Sequence, residues 1–144
     1  MNATRRTVLI AGALSAITAL SFSSAVFAAS DLVEVQSLNA ANKPITVAVP
    51  KNPQRIAVAD FSVLDTLDHW GLGERIVALP QTTALPYLPQ YFKKSKKVTN
   101  LGTLKEIDLE GLMAAEPDVI FISGRLAKKY DELSKIAPVD FMTA

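Results

Sequence analysis

Short apolar runs alternate along this chain with stretches of helical periodicity. From Asp31 to Leu38 the residues Leu32, Glu34 and Gln36 alternate with Val33, Val35 and Ser37, and from Ile45 to Val49 the apolar positions alternate with Thr46 and Ala48. Each stretch reads as a half-exposed strand, and the turn cluster Asn39 to Pro44 joins them as a hairpin. After the break from Pro50 to Pro53, Arg55 to Ala59 reads as a buried strand. Val63, Leu64, Leu67 and Trp70 then fall on one helical face, with Asp60 or Ser62 to cap the helix and Gly71 to end it. Ile76 to Leu79 is the next buried strand. The long segment Pro80 to Lys97 contains three prolines and one helical turn at Leu88 to Phe92, and Val98 to Leu101 forms a short strand.

Asp108 caps a helix that carries Leu109, Leu112 and Met113 on one face and stops at Pro117. Val119-Ile120-Phe121-Ile122 has no polar alternation at all, which predicts a strand buried on both faces at the centre of the sheet. Leu126, Tyr130, Leu133 and Ala137 repeat at helical spacing, and Val139 to Met142 is the last strand. The order is that of an α/β domain with a largely parallel sheet and an N-terminal hairpin. No repeat of solenoid length is present.

The beginning of the chain changes the picture of its compartment. Arg5-Arg6 forms a positive n-region, Thr7 to Ala28 carries no charge, and Val26-Phe27-Ala28 offers small residues before a cleavage point. Residues 1–28 therefore read as a secretory signal peptide, and 29–144 as one domain. An uncleaved anchor is the competing reading, but the Ser- and Ala-rich second half argues for cleavage. Thr4-Arg5-Arg6-Thr7-Val8-Leu9 resembles a twin-arginine export signal without its usual Phe and Lys, and paired arginines also suit an ordinary n-region.

There are no cysteines, so disulfides, thiolate metal sites and a lipid-bearing cysteine are excluded. An exported protein without such an anchor would escape a one-membrane cell, so the periplasm is expected. Without Arg5 and Arg6 the balance of 15 basic and 14 acidic residues falls just below neutrality, which gives no reason to expect nucleic acid. The basic run Lys93-Lys94 and Lys96-Lys97 reads as a solvated loop.

Candidate catalytic chemistry is sparse. The single histidine, His69, lies beside Trp70 on a helix, as a surface or partly packed imidazole or else a haem or metal ligand. No nucleophile–base pair and no phosphate loop or dinucleotide fingerprint is visible. What remains is a set of strand-to-loop junctions: Asp60-Phe61-Ser62, Leu79-Pro80-Gln81, Gly102-Thr103-Leu104 and Ser123-Gly124-Arg125. In a parallel sheet the carboxyl ends of the strands line one crevice rim. Phe61, Pro80 and Thr103 would give that rim apolar and hydroxyl groups, and Arg125 a fixed fork of donors for an anion. The alternative is that Arg125 caps a helix or pairs with Asp131 or Glu132.

Leu101-Gly102-Thr103, Asp108-Leu109-Glu110 and Ala115-Glu116-Pro117-Asp118-Val119-Ile120, in that order, resemble the signature of periplasmic binding proteins for iron-siderophores and cobalamin. Ser123-Gly124-Arg125 with Lys128, Tyr130, Asp131 and Leu133, and Asp60-Phe61 with Leu64-Asp65-Thr66-Leu67, are similar to the subgroup that binds ferric catecholates. The resemblance runs from Leu32 to Val139. It implies the N-terminal Rossmann-like lobe of a fold in which two lobes are bridged by one long helix and ligand lies between them.

The resemblance further implies a non-enzymatic, monomeric carrier with no cofactor of its own. It would deliver ferric siderophore to an inner-membrane ABC permease. Arg125, with Lys128 and Tyr130 nearby, would belong to a cationic cluster around the iron chelate, and Glu110 would dock on arginines of the permease. Family members run to roughly twice the mature length, residues 29–144, consistent with two domains of ordinary size. The second lobe is therefore expected to be absent, leaving a half-protein, a fragment, or a lobe that works alone. An exported domain that docks on the permease without carrying ligand is the alternative. A hydrolase or transferase fragment would need a nucleophile the sequence does not offer.

Overall fold

The computed structural model describes residues 31–92 and 97–142. Residues 1–28, expected to be a signal peptide, and Lys93, Lys94 and Lys96 of the basic run lie outside the described residues. β1 (Leu32–Leu38) and β2 (Pro44–Pro50) form the expected antiparallel hairpin, with Val35 opposite Val47. The other strands are β3 (Ile56–Val58), β4 (Ile76–Leu79), β5 (Thr99–Asn100), β6 (Val119–Ile122) and β7 (Val139–Phe141). They make one parallel sheet in the order β5-β4-β3-β6-β7. The expected α/β architecture is present, with β3 rather than β6 at the centre.

Each face of the sheet has its own core. Ala57, Ala59, Ile120 and Ile122 point to one face, where Leu112, Leu126, Leu133, Val139 and Phe141 complete the cluster. Ile56, Val58 and Val119 point to the other and meet Val63, Leu64 and Leu67. This alternation follows from the two-residue period of a strand. In β4 the register against β3 slips between Ile56 and Ala57. Ala78 thereby joins the first face and Ile76 and Leu79 the second. Ile120, Ile122, Leu64 and Leu112 are fully buried, and each such side chain contributes about 1.5–3 kcal/mol.

The helices show which periodicities hold. α1 (Phe61–His69) is capped by Asp60, whose Oδ1 accepts from the Ser62 and Val63 amides at 2.8 and 3.4 Å. Gly71 (φ 72°) ends the helix in the left-handed region that favours glycine. Val63, Leu64 and Leu67 are buried as expected, but Trp70 is 67% exposed. Trp70 follows the last helical residue, where the chain has already left the helical path. α2 (Leu109–Ala114) is capped by Asp108 and buries Leu112. Met113, expected on the same face, is 52% exposed, because six residues are too few for the period to fix a face.

Beyond β6 the chain does not enter an α-helix directly. Gly124–Lys129 is a 3₁₀ helix and α3 (Tyr130–Leu133) follows. The turn near Leu88 is likewise 3₁₀, Pro89–Tyr91, and β5 is shorter than the expected strand.

Two polar anchors hold the periphery. Ser37, 5% exposed, accepts from the Phe141 amide at 2.8 Å and so pins the hairpin to edge strand β7. Asp118 Oδ2 accepts from the Gln54 and Arg55 amides at 2.8 and 3.0 Å. The Arg55 guanidinium in turn donates to the carbonyls of Ala115 and Glu116 at the end of α2.

Candidate functional site

The strand order places a topological switch point between β3 and β6. After β3 the chain crosses by α1 to β4, on the face of the second cluster, and after β6 it crosses by the 3₁₀ turn and α3 to β7, on the other face. The two connections diverge and leave a crevice at the carboxyl ends, the usual place for a ligand in an open α/β sheet. The junctions after β3 and β6 meet there. The junctions after β4 and β5 lie along the same rim.

The structure sorts the expected rim residues by what is already bound to them. Arg125 and Lys128 are exposed, and neither has a hydrogen bond or ion pair among the described residues. Glu132 pairs with Lys129 at 3.1 Å, so the alternative pairing of Arg125 with Glu132 is not made. Tyr130 is half-buried and packs on the first core cluster. Phe61 is half-buried and meets Phe92 edge to face, with ring centroids 5.9 Å apart. These two rings give the rim an apolar patch beside the switch point.

Pro80 is buried beneath the rim. Thr103 Oγ1 accepts from the Lys105 and Glu106 amides at 3.2 and 2.8 Å, which ties it to its own turn. Glu110 is exposed in the first turn of α2, where a carboxylate is favoured by the helix dipole.

Four features of the rim were not anticipated. Asn100 Oδ1 accepts from the Gln81 amide at 3.1 Å and the Gly102 amide at 2.9 Å, locking the ends of β4 and β5 together. Gly102 has φ 83°, which its place in this turn requires. Met142, 44% exposed, follows β7 and adds an apolar group on the far side of Ser123.

The fourth is Asp60. Burial alone would raise its carboxyl pKa, but hydrogen bonds from the Ser62 and Ser123 side chains and the Ser62 and Val63 amides outweigh it, and the pKa is lowered. Asp60 is therefore ionised at neutral pH. The Asp60-Phe61-Ser62 spacing showed the cap, but nothing local in the sequence brings Ser123 to the same carboxylate.

A cavity of about 750 Å³ opens elsewhere, at the amino ends of the strands, against Arg55, Asp68, Glu74, Ile76 and Tyr91. Its polar groups serve the fold. Asp68 Oδ1 accepts from Tyr91 Oη at 2.6 Å and Gln90 Nε2 at 3.1 Å, and Arg55 binds the carbonyls ending α2. Among the described residues no cluster of three or more His, Asp or Glu side chains could hold a metal ion.

A parallel sheet with a switch point between β3 and β6, helices on both faces and a hairpin on its edge has the architecture of a lobe of a solute-binding protein. Residues 56–144 match the family of periplasmic binding proteins, and the chain belongs to that family. It is 42% identical over 94 residues to the petrobactin-binding protein YclQ of Bacillus subtilis, covering 65% of this chain and 29% of that protein. It is 28% identical over 90 residues to the ferric-anguibactin-binding protein FatB of Vibrio anguillarum, covering 62% and 27%.

The crystal structure of YclQ superposes with a TM-score of 0.69 at 36% identity, over 78% of this chain and 38% of that one. That of the periplasmic catecholate-siderophore binding protein VctP of Vibrio cholerae superposes at 0.60 and 32% identity, over 78% and 38%. The matched part of the chain thus spans about three tenths of these curated relatives.

Proposed function

We propose that this chain supplies a ligand-facing lobe of an extracytoplasmic binding protein that hands ferric siderophores of the catecholate type to an ABC permease. The observation that carries the reading is Arg125. It is an exposed guanidinium without a partner among the described residues, three residues past the end of β6 at the switch point. Lys128 adds a second exposed cation, and Phe61 with Phe92 an aromatic patch for the rings of a catecholate. The petrobactin-binding relative and the catecholate-binding structural neighbour support the ligand class. The lobe binds and presents its ligand and catalyses nothing.

Residues 1–28 direct export and are removed. The sequence has no cysteine to carry a lipid, unlike what is implied for a relative described as a putative substrate-binding lipoprotein, YhfQ of Bacillus subtilis, so the exported form is free in the periplasm. Glu110, exposed at the start of α2, is the docking contact for the permease.

The test is calorimetric titration of the chain with the iron(III) complex of 2,3-dihydroxybenzoate, comparing wild type with Arg125→Ala. A contact to an exposed anion is screened by water and contributes about 0–1 kcal/mol. Binding by this chain is therefore expected at micromolar or weaker Kd, weaker still in Arg125→Ala and at higher salt. Equal affinities for the two proteins would remove Arg125 from the site. Nanomolar binding would mean that a single rim encloses its ligand.

A further inference from the structure

We infer that Gln81 is a positioning residue that holds Phe92 against Phe61, and that the paired rings favour aromatic iron chelates over non-aromatic ones. This rests on the reading of the rim as the ligand-facing edge of the lobe. The chain leaves the carboxyl end of β4 through Leu79-Pro80-Gln81, and the neighbouring strand β5 ends at Asn100. There Asn100 Oδ1 accepts from the Gln81 amide at 3.1 Å. Thr82 fixes the next position, since its amide and its hydroxyl both donate to the Gly102 carbonyl, at 3.4 and 3.0 Å. The Gln81 backbone is thus tied to the rim independently of its side chain.

The side chain then reaches across the loop. Gln81 Nε2 donates to the Tyr91 carbonyl at 3.2 Å, so two positions 10 residues apart meet at the neck of a compact loop. The loop is packed from within. Leu88 and Tyr91 are buried in the second core cluster, and Leu85 packs against it. Tyr91 is also held at its far end, where Oη donates to Asp68 Oδ1 at 2.6 Å. Phe92 follows directly, its amide donating to the Pro89 carbonyl at 3.2 Å, and its ring meets Phe61 edge to face at 5.9 Å. Phe61 is the first residue of α1, next to the cap Asp60. The neck bond therefore links the ends of β4 and β5 to an aromatic pair beside the end of β3.

Rings and cations recognise different things. Arg125 and Lys128 attract any anionic chelate, whatever its carbon skeleton. Phe61 and Phe92 are both half-buried, which leaves ring surface on which a flat aromatic ligand can stack, and that contact depends on where the rings stand. Gln81 carries no charge, so replacing it with another neutral residue leaves the field at the rim unchanged. A change of selectivity on its replacement is then a change of geometry.

The test uses the full chain and two anionic probes, titrated by calorimetry at one salt concentration. One is the iron(III) complex of 2,3-dihydroxybenzoate and the other is iron(III) citrate, which has no ring. Gln81→Met keeps the length of the side chain and loses the donor. It should lower the ratio of the two affinities about 3- to 10-fold, against the aromatic complex. Phe92→Leu keeps an apolar side chain without the ring and should lower the ratio by a similar factor. In that background Gln81→Met should change the ratio no further, because there is no ring left to position. Ring-current shifts of the Phe61 protons should shrink in Gln81→Met, and would stay as in wild type if the neck bond served stability alone. Arg125→Ala should weaken binding of both probes and leave the ratio near that of wild type. A wild-type ratio in Gln81→Met or in Phe92→Leu, or additivity of the two, would overturn the inference while leaving the anion-receptor reading intact. Binding of neither probe by the wild type would overturn the ligand-facing reading and this inference together.

Discussion

Gly73→Ala should destabilise the protein through one atom pair. Gly73 lies in the short 3₁₀ turn Gly73–Arg75 before β4, and a Cβ built there would sit 1.9 Å from Tyr91 Oη. Ordinary contact begins at 3.4 Å, so the hydroxyl or the turn must move by the difference. Tyr91 is 6% exposed and donates to Asp68 Oδ1 at 2.6 Å. Burial and the neighbouring Asp68 carboxylate push its phenol pKa far above the ordinary range, so it remains a donor throughout the working pH range.

Displacing that hydroxyl breaks the bond in a buried place, at about 1–3 kcal/mol, and overpacking adds about 1–3 kcal/mol. Some relaxation is shared between the two, so about 2–4 kcal/mol is expected, a large part of a typical domain's stability. Tyr91→Phe provides the control. It removes the clashing oxygen and leaves ring carbon Cζ, at 3.0 Å, as the nearest atom. In that background Gly73→Ala should cost about 1 kcal/mol or less, giving a coupling of at least ~1 kcal/mol in the cycle. Urea denaturation with linear extrapolation measures all four proteins. Equal costs in the two backgrounds would refute the contact.

The rim depends on this region too. Tyr91 also accepts from Gln81 Nε2 at 3.2 Å through its carbonyl, and the next residue is the Phe92 that faces Phe61.

Two further outcomes follow from charged groups. Asp140, half-buried on β7, has its carboxyl pKa raised by burial, with a hydrogen bond from Ser37 only partly opposing the shift. A raised carboxyl pKa favours the folded state below the unfolded pKa near 3.8 and loses that contribution as pH rises through the folded value. Asp140→Asn should therefore raise stability at pH 7 and lose this advantage as pH falls toward 3.8, measured by urea melts across pH. Glu110→Arg should leave ferric 2,3-dihydroxybenzoate binding unchanged and reduce uptake through a reconstituted permease supplied with the remainder of the binding protein. A change in affinity with normal uptake would reject its docking role.

What the sequence showed well was what a strand does to its own neighbourhood. Val119 to Ile122 was legible because a strand buried on both faces has no room for polar alternation, and the caps Asp60 and Asp108 because their bonds close within three residues. Periodicity misled where an element stopped before its pattern did, at Trp70 and Met113, and where Leu126 to Ala137 suggested one helix in place of a 3₁₀ turn and a short α-helix. Four candidate rim positions, Phe61, Pro80, Thr103 and Arg125, came from one rule, that loops after parallel strands share an edge. That rule says which end of the sheet, and nothing about which side chains remain unpaired there.

Pairing is decided by local and long-range contacts together. Thr103 is taken by its own turn, Pro80 is buried and Tyr130 packs on the core, while Arg125 and Lys128 remain exposed without partners among the described residues. The two cations thus share a short 3₁₀ segment whose base, Ser123, lies beside the end of β3, some sixty positions earlier in the chain. That proximity exists only because β3 and β6 are neighbours in the sheet. It makes Arg125's position a property of the whole fold, and it is why a local motif could suggest the guanidinium but not what holds it in place.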